Sequence, residues 1–431
     1  MKRYELPFGK GVQTVNLPED HILYDLHGSR ASVENDLVGA TKIALRQPID
    51  SKPLQELIHK GETVAIVVSD ITRPVHTAEF LPVIMDELNE IGIADEDMVI
   101  VIATGAHRGH SPAENSMVCG EAIVRRIAIH QHDSKNKAEL VRLGVTSFGT
   151  AVDIDAYVAE ADNVIITGAV SVHPMAGFGG GRKAIVPGVA GYDTIMQNHA
   201  LALASGVGDG CNPACNSGLL TGNPFHEDMM EATELLKPTF LVNMVFTPDG
   251  DLHEVVAGHW RTAWEKGCQD LIQIAGVPIA EQADVVIASA GGFPKDLNLY
   301  QATKAHMNAI FAVKPGGIII FTLDCPDIRE PAIFTDWLAK DNLLQFEKDV
   351  RADFSMAAFV AFKTRCIIES VTIYLVTRPD NFSFVRQTGQ IPATSLEEAW
   401  GLAQKELINR HNVNYTVTIM SHGSATLPIL Q

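Results

Sequence analysis

Five runs of this chain are apolar without alternation: Thr63–Asp70 (TVAIVVSD), Met98–Thr104 (MVIVIAT), Asn163–Thr167 (NVIIT), Ala283–Ala290 (ADVVIASA) and Gly316–Thr322 (GGIIIFT). A strand with one wet face alternates polar and apolar positions, whereas a strand covered on both faces is apolar throughout. The runs therefore predict buried strands of parallel sheets. Ala78–Ile91 reads as the helix that returns the chain between the first two. Strands alternating with helices imply an α/β fold with mainly parallel, doubly wound sheets.

Weaker patterns fill in the rest. Gly9–Thr14 and His21–Leu26 read as short strands of an opening segment. Leu241–Phe246 and Asp251–Ala257, split by the turn signal Thr247-Pro248-Asp249-Gly250, read as a hairpin. A helix around Trp260–Ile274 and a break at Gly276-Val277-Pro278 lead into a second α/β unit. At 431 residues the chain is long enough for two domains. The expected division is 1–275, 281–410 and a segment 411–431, with strand-like Tyr415–Met420, returning to the N-terminal domain. The active site is expected in the cleft between the two domains.

Chemistry collects directly after the strands. The first is followed by Asp70-Ile71-Thr72-Arg73-Pro74 and the second by Gly105-Ala106-His107-Arg108-Gly109-His110. After the third comes a loop with His173, Gly179-Gly180-Gly181, Arg182 and Lys183; after the fourth comes Gly291-Gly292-Phe293-Pro294-Lys295-Asp296. Ligands of open parallel sheets bind beyond the carboxyl ends of the strands. Glycines 179–181 have no side chain to hold a ligand off the backbone, and their amides suit an anion-binding nest. A lysine at the end of such a turn neutralises a phosphate or acts as a nucleophile. His110 precedes a capping box, Ser111-Pro112-Ala113-Glu114, and reads equally well as a surface turn. His199 lies in a helical stretch, Tyr192–Ala204. Gln301 and Lys304 are three apart on another helix, so they share a face able to meet one anion.

Composition narrows the partners. A formal net charge of −19 repels a polyanion, which excludes non-specific nucleic-acid binding. Six cysteines without a framework of spacings read as reduced thiols, and Cys211 and Cys215 in CNPAC lack a second pair to hold a metal. No stretch approaches a membrane span and no apolar leader opens the chain, so a cytoplasmic protein is expected. The glycine loop is not a Walker A motif, and neither a GxSxG elbow nor HExxH occurs. Two histidines on separate strand ends, an arginine and a lysine suit proton transfer at a small anion.

Taken in order, Ser69–Pro74, Thr104–Arg108, His173-Pro174 with Gly179–Lys183, Asn198-His199-Ala200, and Gly291–Asp296 through Tyr300, Gln301 and Lys304 resemble the nickel-pincer lactate racemase family. The resemblance runs from about residue 1 to 425. It implies a nickel-dependent racemase or epimerase of a 2-hydroxy acid. The implied cofactor is nickel pyridinium-3,5-bisthiocarboxylic acid mononucleotide, covalently attached to Lys183, with His199 as nickel ligand. His107 and His173 match the family's two acid/base histidines. Asp70, Thr72, Gly179, Gly180, Gly181 and Arg182 fall to the cofactor site, and Arg73, Tyr300, Gln301 and Lys304 to the substrate. Cofactor-biosynthesis proteins are implied as partners. The implied reaction removes a hydride while one histidine takes the hydroxyl proton, then returns the hydride to the other face of the planar keto acid. One imidazole per face suits that symmetry, since imidazole titrates near neutral pH.

One departure bears on specificity. Where the family places an aromatic wall, with a tryptophan in the lactate enzyme, this chain has Phe359-Val360-Ala361-Phe362-Lys363 and no tryptophan between Trp337 and Trp400. That suggests a substrate bulkier or more polar than lactate. Two other classes remain open from the residues: a phosphoryl-transfer enzyme, which would need a carboxylate pair for Mg²⁺, and a protein that binds or stores the pincer cofactor without catalysis.

Overall fold

The computed structural model describes residues 1–28, 32–73, 75–247 and 250–431; Pro74 and the Pro248-Asp249 step of the predicted turn lie outside them. The chain divides into two compact units. The N-terminal unit comprises Ala31–Ala202 and Pro213–Ile272, and the C-terminal unit Met1–Arg30, Leu203–Asn212 and Gln273–Gln431. Among the described residues no helix is long and apolar enough to cross a membrane.

The N-terminal unit is built on six strands in the order Leu252–Gly258, Phe240–Phe246, Asn163–Val170, Val64–Ser69, Met98–Ala103, Ala128–Gln131. All pair in parallel except Leu252–Gly258, which forms the predicted antiparallel hairpin with Phe240–Phe246. Val64 through Val68 are wholly buried, as the unbroken apolar run requires. Val64, Ile66 and Val68 pack in one core with Phe80, Ile84 and Leu88 of the Thr77–Ile91 helix. Burying each such side chain contributes about 1.5–3 kcal/mol.

The C-terminal sheet runs Ile391–Ala393, Thr372–Val376, Val313–Thr322, Ala283–Ser289, Val417–Met420, Ile22–Asp25, all parallel. Here the expected domain boundaries need correction. Residues 411–431 stay with the C-terminal unit, because Val417–Met420 inserts beside Ala283–Ser289 and leaves no free edge there. The opening segment belongs to the same unit. Ile22–Asp25 extends the sheet from Val417–Met420. Lys2–Phe8 and Gly11–Leu17 pair antiparallel and bury Tyr4, Leu6, Val15 and Leu17 against Ile287, Ile320 and Trp400. Only one of these two strands was legible, because their alternation is short and the Gly9 turn (φ +54°) lay inside the predicted one.

Candidate active site

Two central strands of the N-terminal sheet, Val64–Ser69 and Asn163–Val170, are neighbours in space and far apart in sequence. From them the chain proceeds outward in opposite directions, through Met98–Ala103 on one side and Phe240–Phe246 on the other. Loops leaving the carboxyl ends diverge at such a switch point and open a crevice. The three loops carrying His107, His173 and Asp70 all leave strands at or beside it.

Asp70 ends the first of these strands with its side chain buried. Its Oδ1 accepts the Thr72 hydroxyl at 2.6 Å and the Thr72 amide at 3.2 Å. Its Oδ2 lies 2.6 Å from Nδ1 of half-exposed His107. Burial alone would raise the carboxyl, but the bonds from His107 and Thr72 outweigh it and hold Asp70 below the ordinary carboxylate value. With Nδ1–H on the carboxylate, the His107 ring carries its lone pair on Nε2, the form of a base.

His173 is held in the opposite sense. Its Nδ1 accepts the amides of Met175 (3.2 Å) and Ala176 (3.1 Å). The ring proton therefore sits on Nε2, the form of a hydrogen-bond donor. Burial, then the positive charges of Lys183, Arg73 and Arg182, push its pKa well below the imidazole value and keep it neutral.

The glycine loop does something other than cradle a phosphate. Gly179 N–H donates to Ser171 O and Gly181 N–H to Asn243 Oδ1 at 2.8 Å, so two of the three amides are committed within the protein. The expected nest is not formed, because the Asn243 side chain from Phe240–Phe246 occupies the place of an anion. The glycines are needed for close approach. Gly180 (φ +70°) and Gly181 (φ +51°) lie where a Cβ would stand 2.6 Å from Asn243 Oδ1 and 2.5 Å from the Trp264 ring. Arg182, wholly buried, donates to Phe178 O (2.8 Å) and Ala176 O (2.6 Å) and lies 4.0 Å from the Trp264 ring centroid. Desolvation lowers it to about 9. Trp264 Nε1 donates to Gly179 O at 2.9 Å. The guanidinium and the indole thus fasten the carbonyls of the turn that ends in Lys183.

Burial, with Arg182 and Arg73 nearby, pushes the Lys183 amine well below its usual value. Lowering the pKa enlarges the fraction of neutral amine, the nucleophilic form. Its Nζ lies 5.8 Å from the centre of the buried Phe225 ring, and His199 meets the same ring edge-on at 5.0 Å. His199 Nδ1 donates to Ile195 O at 2.8 Å, which places the ring's basic lone pair on Nε2, the arrangement of a metal-ligating imidazole. Burial, then the charge of Lys183, lowers His199 to about 3. Its helix, Tyr192–Ala200, is fixed by Asn198, which donates to Phe225 O and Asp228 Oδ2.

Asp70, Thr72, Arg73, His107, His173, Gly179–Gly181, Arg182, Lys183 and His199 thus fall in one unit, whereas Tyr300, Gln301 and Lys304 belong to the other. Gln301 and Lys304 are exposed on the Leu299–Ala309 helix, which Asn298 caps through the Gln301 amide. His110 supports the scaffold, since its buried ring accepts the Ile71 amide at 3.0 Å. Phe359 and Phe362 are buried, stacked on Phe354 and edge-on to Phe346 respectively, so that stretch packs a core. The Gly291–Asp296 loop holds the first turn of the chain, with Asp296 Oδ2 accepting the Gly9 amide at 2.7 Å. Phe225, Asn243 and Trp264 escaped the sequence reading, since nothing local marks a side chain that reaches in from another element.

Residues 8–209 match the family model of the lactate racemase N-terminal domain, and residues 279–427 that of the C-terminal domain. A lactate racemase of Thermoanaerobacterium thermosaccharolyticum is 32% identical over 427 residues, 96% of this chain and 97% of that protein. One of Lactiplantibacillus plantarum is 33% identical over 76% of each chain. The solved structure of the Thermoanaerobacterium lactate racemase apoprotein superposes with a TM-score of 0.85 at 31% identity, covering 99% of this chain and all of that one. A crystal structure of a Thermotoga maritima protein, 18% identical with a TM-score of 0.60, shares the fold.

Proposed function

The chain belongs to the lactate racemase family, and from that premise we propose that it is a nickel-dependent racemase or epimerase of a 2-hydroxy acid. The observation that carries the reading is the pair of imidazoles held in opposite proton states. His107, fixed by Asp70, offers a lone pair, and His173, fixed by two backbone amides, offers an N–H. His107 takes the proton of a substrate hydroxyl, and the carboxylate of Asp70 stabilises the imidazolium that results. His173 donates to the same oxygen when it lies on the other face. Its own turn as base requires the proton to move to Nδ1, which the Met175 and Ala176 amides must release. Arg73, exposed beside Asp70, supplies positive charge for the substrate carboxylate.

The residues present fit the pincer nucleotide. Lys183 carries an amine whose lowered pKa favours its nucleophilic form, able to form a covalent bond to a thiocarboxyl carbon, and His199 presents Nε2 as a single protein ligand. Among the described residues no three His, Cys, Asp or Glu side chains converge on a metal position. A cofactor that brings its own sulfur donors needs one imidazole only. When bound, such a group supplies a carbon that takes up and returns a hydride. Phosphoryl transfer is less well supported, since both Asp70 oxygens are engaged by Thr72 and His107 and two loop amides are bonded internally.

The test is protein made in a host that synthesises the cofactor. Peptide mapping is expected to place the adduct on the Lys183 peptide. Single enantiomers from a panel of 2-hydroxy acids should be carried to a mixture of both, with a substrate bulkier or more polar than lactate preferred. An adduct on another lysine, or no interconversion of any member, would refute the reading. Lactate as best substrate would sink the specificity part alone.

A further inference from the structure

Four of the six cysteines are shielded: Cys119, Cys215, Cys268 and Cys325 are buried. Burial pushes the Cys119 thiol up to about 12 and raises Cys268 and Cys325 as well. Cys211 and Cys366 differ. Both are half-buried, 155 positions apart in sequence, and hydrogen-bonded to each other through their sulfurs. They lie in the same unit.

Their meeting is built into the structure. Cys211 closes a small hairpin, bridging to Leu203, with Ala204 N–H donating to Gly210 O at 2.9 Å. Glu347 Oε2 accepts the amides of Gly208 (3.1 Å) and Gly210 (3.3 Å). Arg351, ion-paired to the other Glu347 oxygen, donates to Ala204 O and Gly206 O at 2.7 and 2.8 Å. The hairpin is thereby pinned on both strands. A Cβ on Gly210 would lie 3.9 Å from Cys366 Sγ, an ordinary van der Waals distance, which places the sulfur of the Met356–Ser370 helix beside the hairpin.

We propose that Cys211 and Cys366 form a reversible dithiol–disulfide site, with Cys366 oxidised first by a hydroperoxide and Cys211 resolving it. The two sulfurs are not equivalent. The Cys211 thiol donates to Cys366 and favours the Cys366 thiolate against burial and the charge of Glu347, with the Cys211 backbone N–H and the positive charge of Lys363, one turn away, adding to it. The same bond pushes Cys211 well above the thiol range. In the first step the Cys366 thiolate attacks a peroxide oxygen and the O–O bond breaks. Sulfur loses two electrons, giving a sulfenic acid, and hydroxide leaves. In the second, the Cys211 sulfur attacks the Cys366 sulfur. The S–S bond forms, and the sulfenic hydroxyl departs as water with the Cys211 proton. Overall two thiols and one hydrogen peroxide give one disulfide and two waters. The bond ties the 203–212 hairpin, which continues the chain from the His199 helix, to the Met356–Ser370 helix.

The experiment is brief exposure of the reduced full chain to hydrogen peroxide, followed by alkylation and peptide mapping. The expected result is loss of two free thiols with a mass lower by two hydrogens, a Cys211–Cys366 linked peptide, and full reversal by dithiothreitol. In Cys211→Ser, dimedone should trap a sulfenic acid on Cys366. In Cys366→Ser, Cys211 should gain no dimedone adduct on the same timescale. Unchanged thiol content in the wild-type protein, a link between other cysteines, or dimedone on Cys211 would overturn the proposal. The wild-type arm decides the linkage whether or not either variant folds.

Discussion

At the scale of single residues, the hydrogen bonds around the two imidazoles decide what each can do. His107 rests on a carboxylate and His173 on two amides, so the two rings enter a turnover in different proton states. If they serve opposite faces of a keto intermediate, each variant should lose racemisation while sparing half of the chemistry. His107→Ala and His173→Ala are each expected to slow oxidation of one enantiomer by about a hundredfold to ten-thousandfold, with opposite preferences. Single-turnover measurement with each enantiomer checks this, and equal losses for both hands in both variants would contradict one base per face. The residue types and their order were legible in the sequence. Their proton states were not, because those follow from partners such as Ala176 and Asp70 whose approach is set by the loops.

At the scale of elements, the turn from Gly179 to Lys183 is held by what packs against it. Trp264 comes from the Thr262–Ala275 helix and Asn243 from a neighbouring strand, and both reach the turn's backbone. A methyl group at position 181 meets the Trp264 ring in a left-handed conformation. Gly181→Ala is therefore expected to cost about 1–3 kcal/mol through overpacking, read as a shifted urea midpoint at unchanged slope. Gly222→Ala, also left-handed but with nothing within 4 Å of its Cβ, is the control and should cost less. Equal effects would show that backbone strain alone, and not the indole, constrains the turn. A run of glycines announced that something approaches closely. That it is protein and not phosphate emerged only from the packing.

At the scale of the whole molecule, buried neutral histidines tie stability to pH. Burial lowers His226 to about 3, with the charges of Arg182 and Arg261 adding to it, and lowers His306 to about 4. In the unfolded chain both protonate near the ordinary value of about 6.5. Below that pH the unfolded state binds more protons, so stability falls as pH falls, until the folded values are reached. Each group contributes a slope of about 1.4 kcal/mol per pH unit between roughly pH 6 and 4.5. His306 sits in the C-terminal core, 4.1 Å from the Phe321 ring. Chemical denaturation across this range should show His306→Gln to be less steep by about that amount; an unchanged slope would mean that His306 is protonated in the folded protein.

The sequence by itself determined the strands and the loops that bear chemistry. Continuous apolar runs such as TVAIVV have no wet face to offer, and a buried parallel strand is what satisfies them. The polar groups at their ends had to lie at the carboxyl edge of a sheet. Tertiary structure alone decided how the strands are ordered, and with that which loops share the switch point. It also decided that residues 1–30 and 411–431 complete the C-terminal unit. Strand order depends on edges and faces far apart in the chain, where the short alternation of Lys2–Phe8 and Gly11–Leu17 finds an apolar surface to cover. A local pattern states that a face must be buried; only the assembled fold supplies the face that buries it.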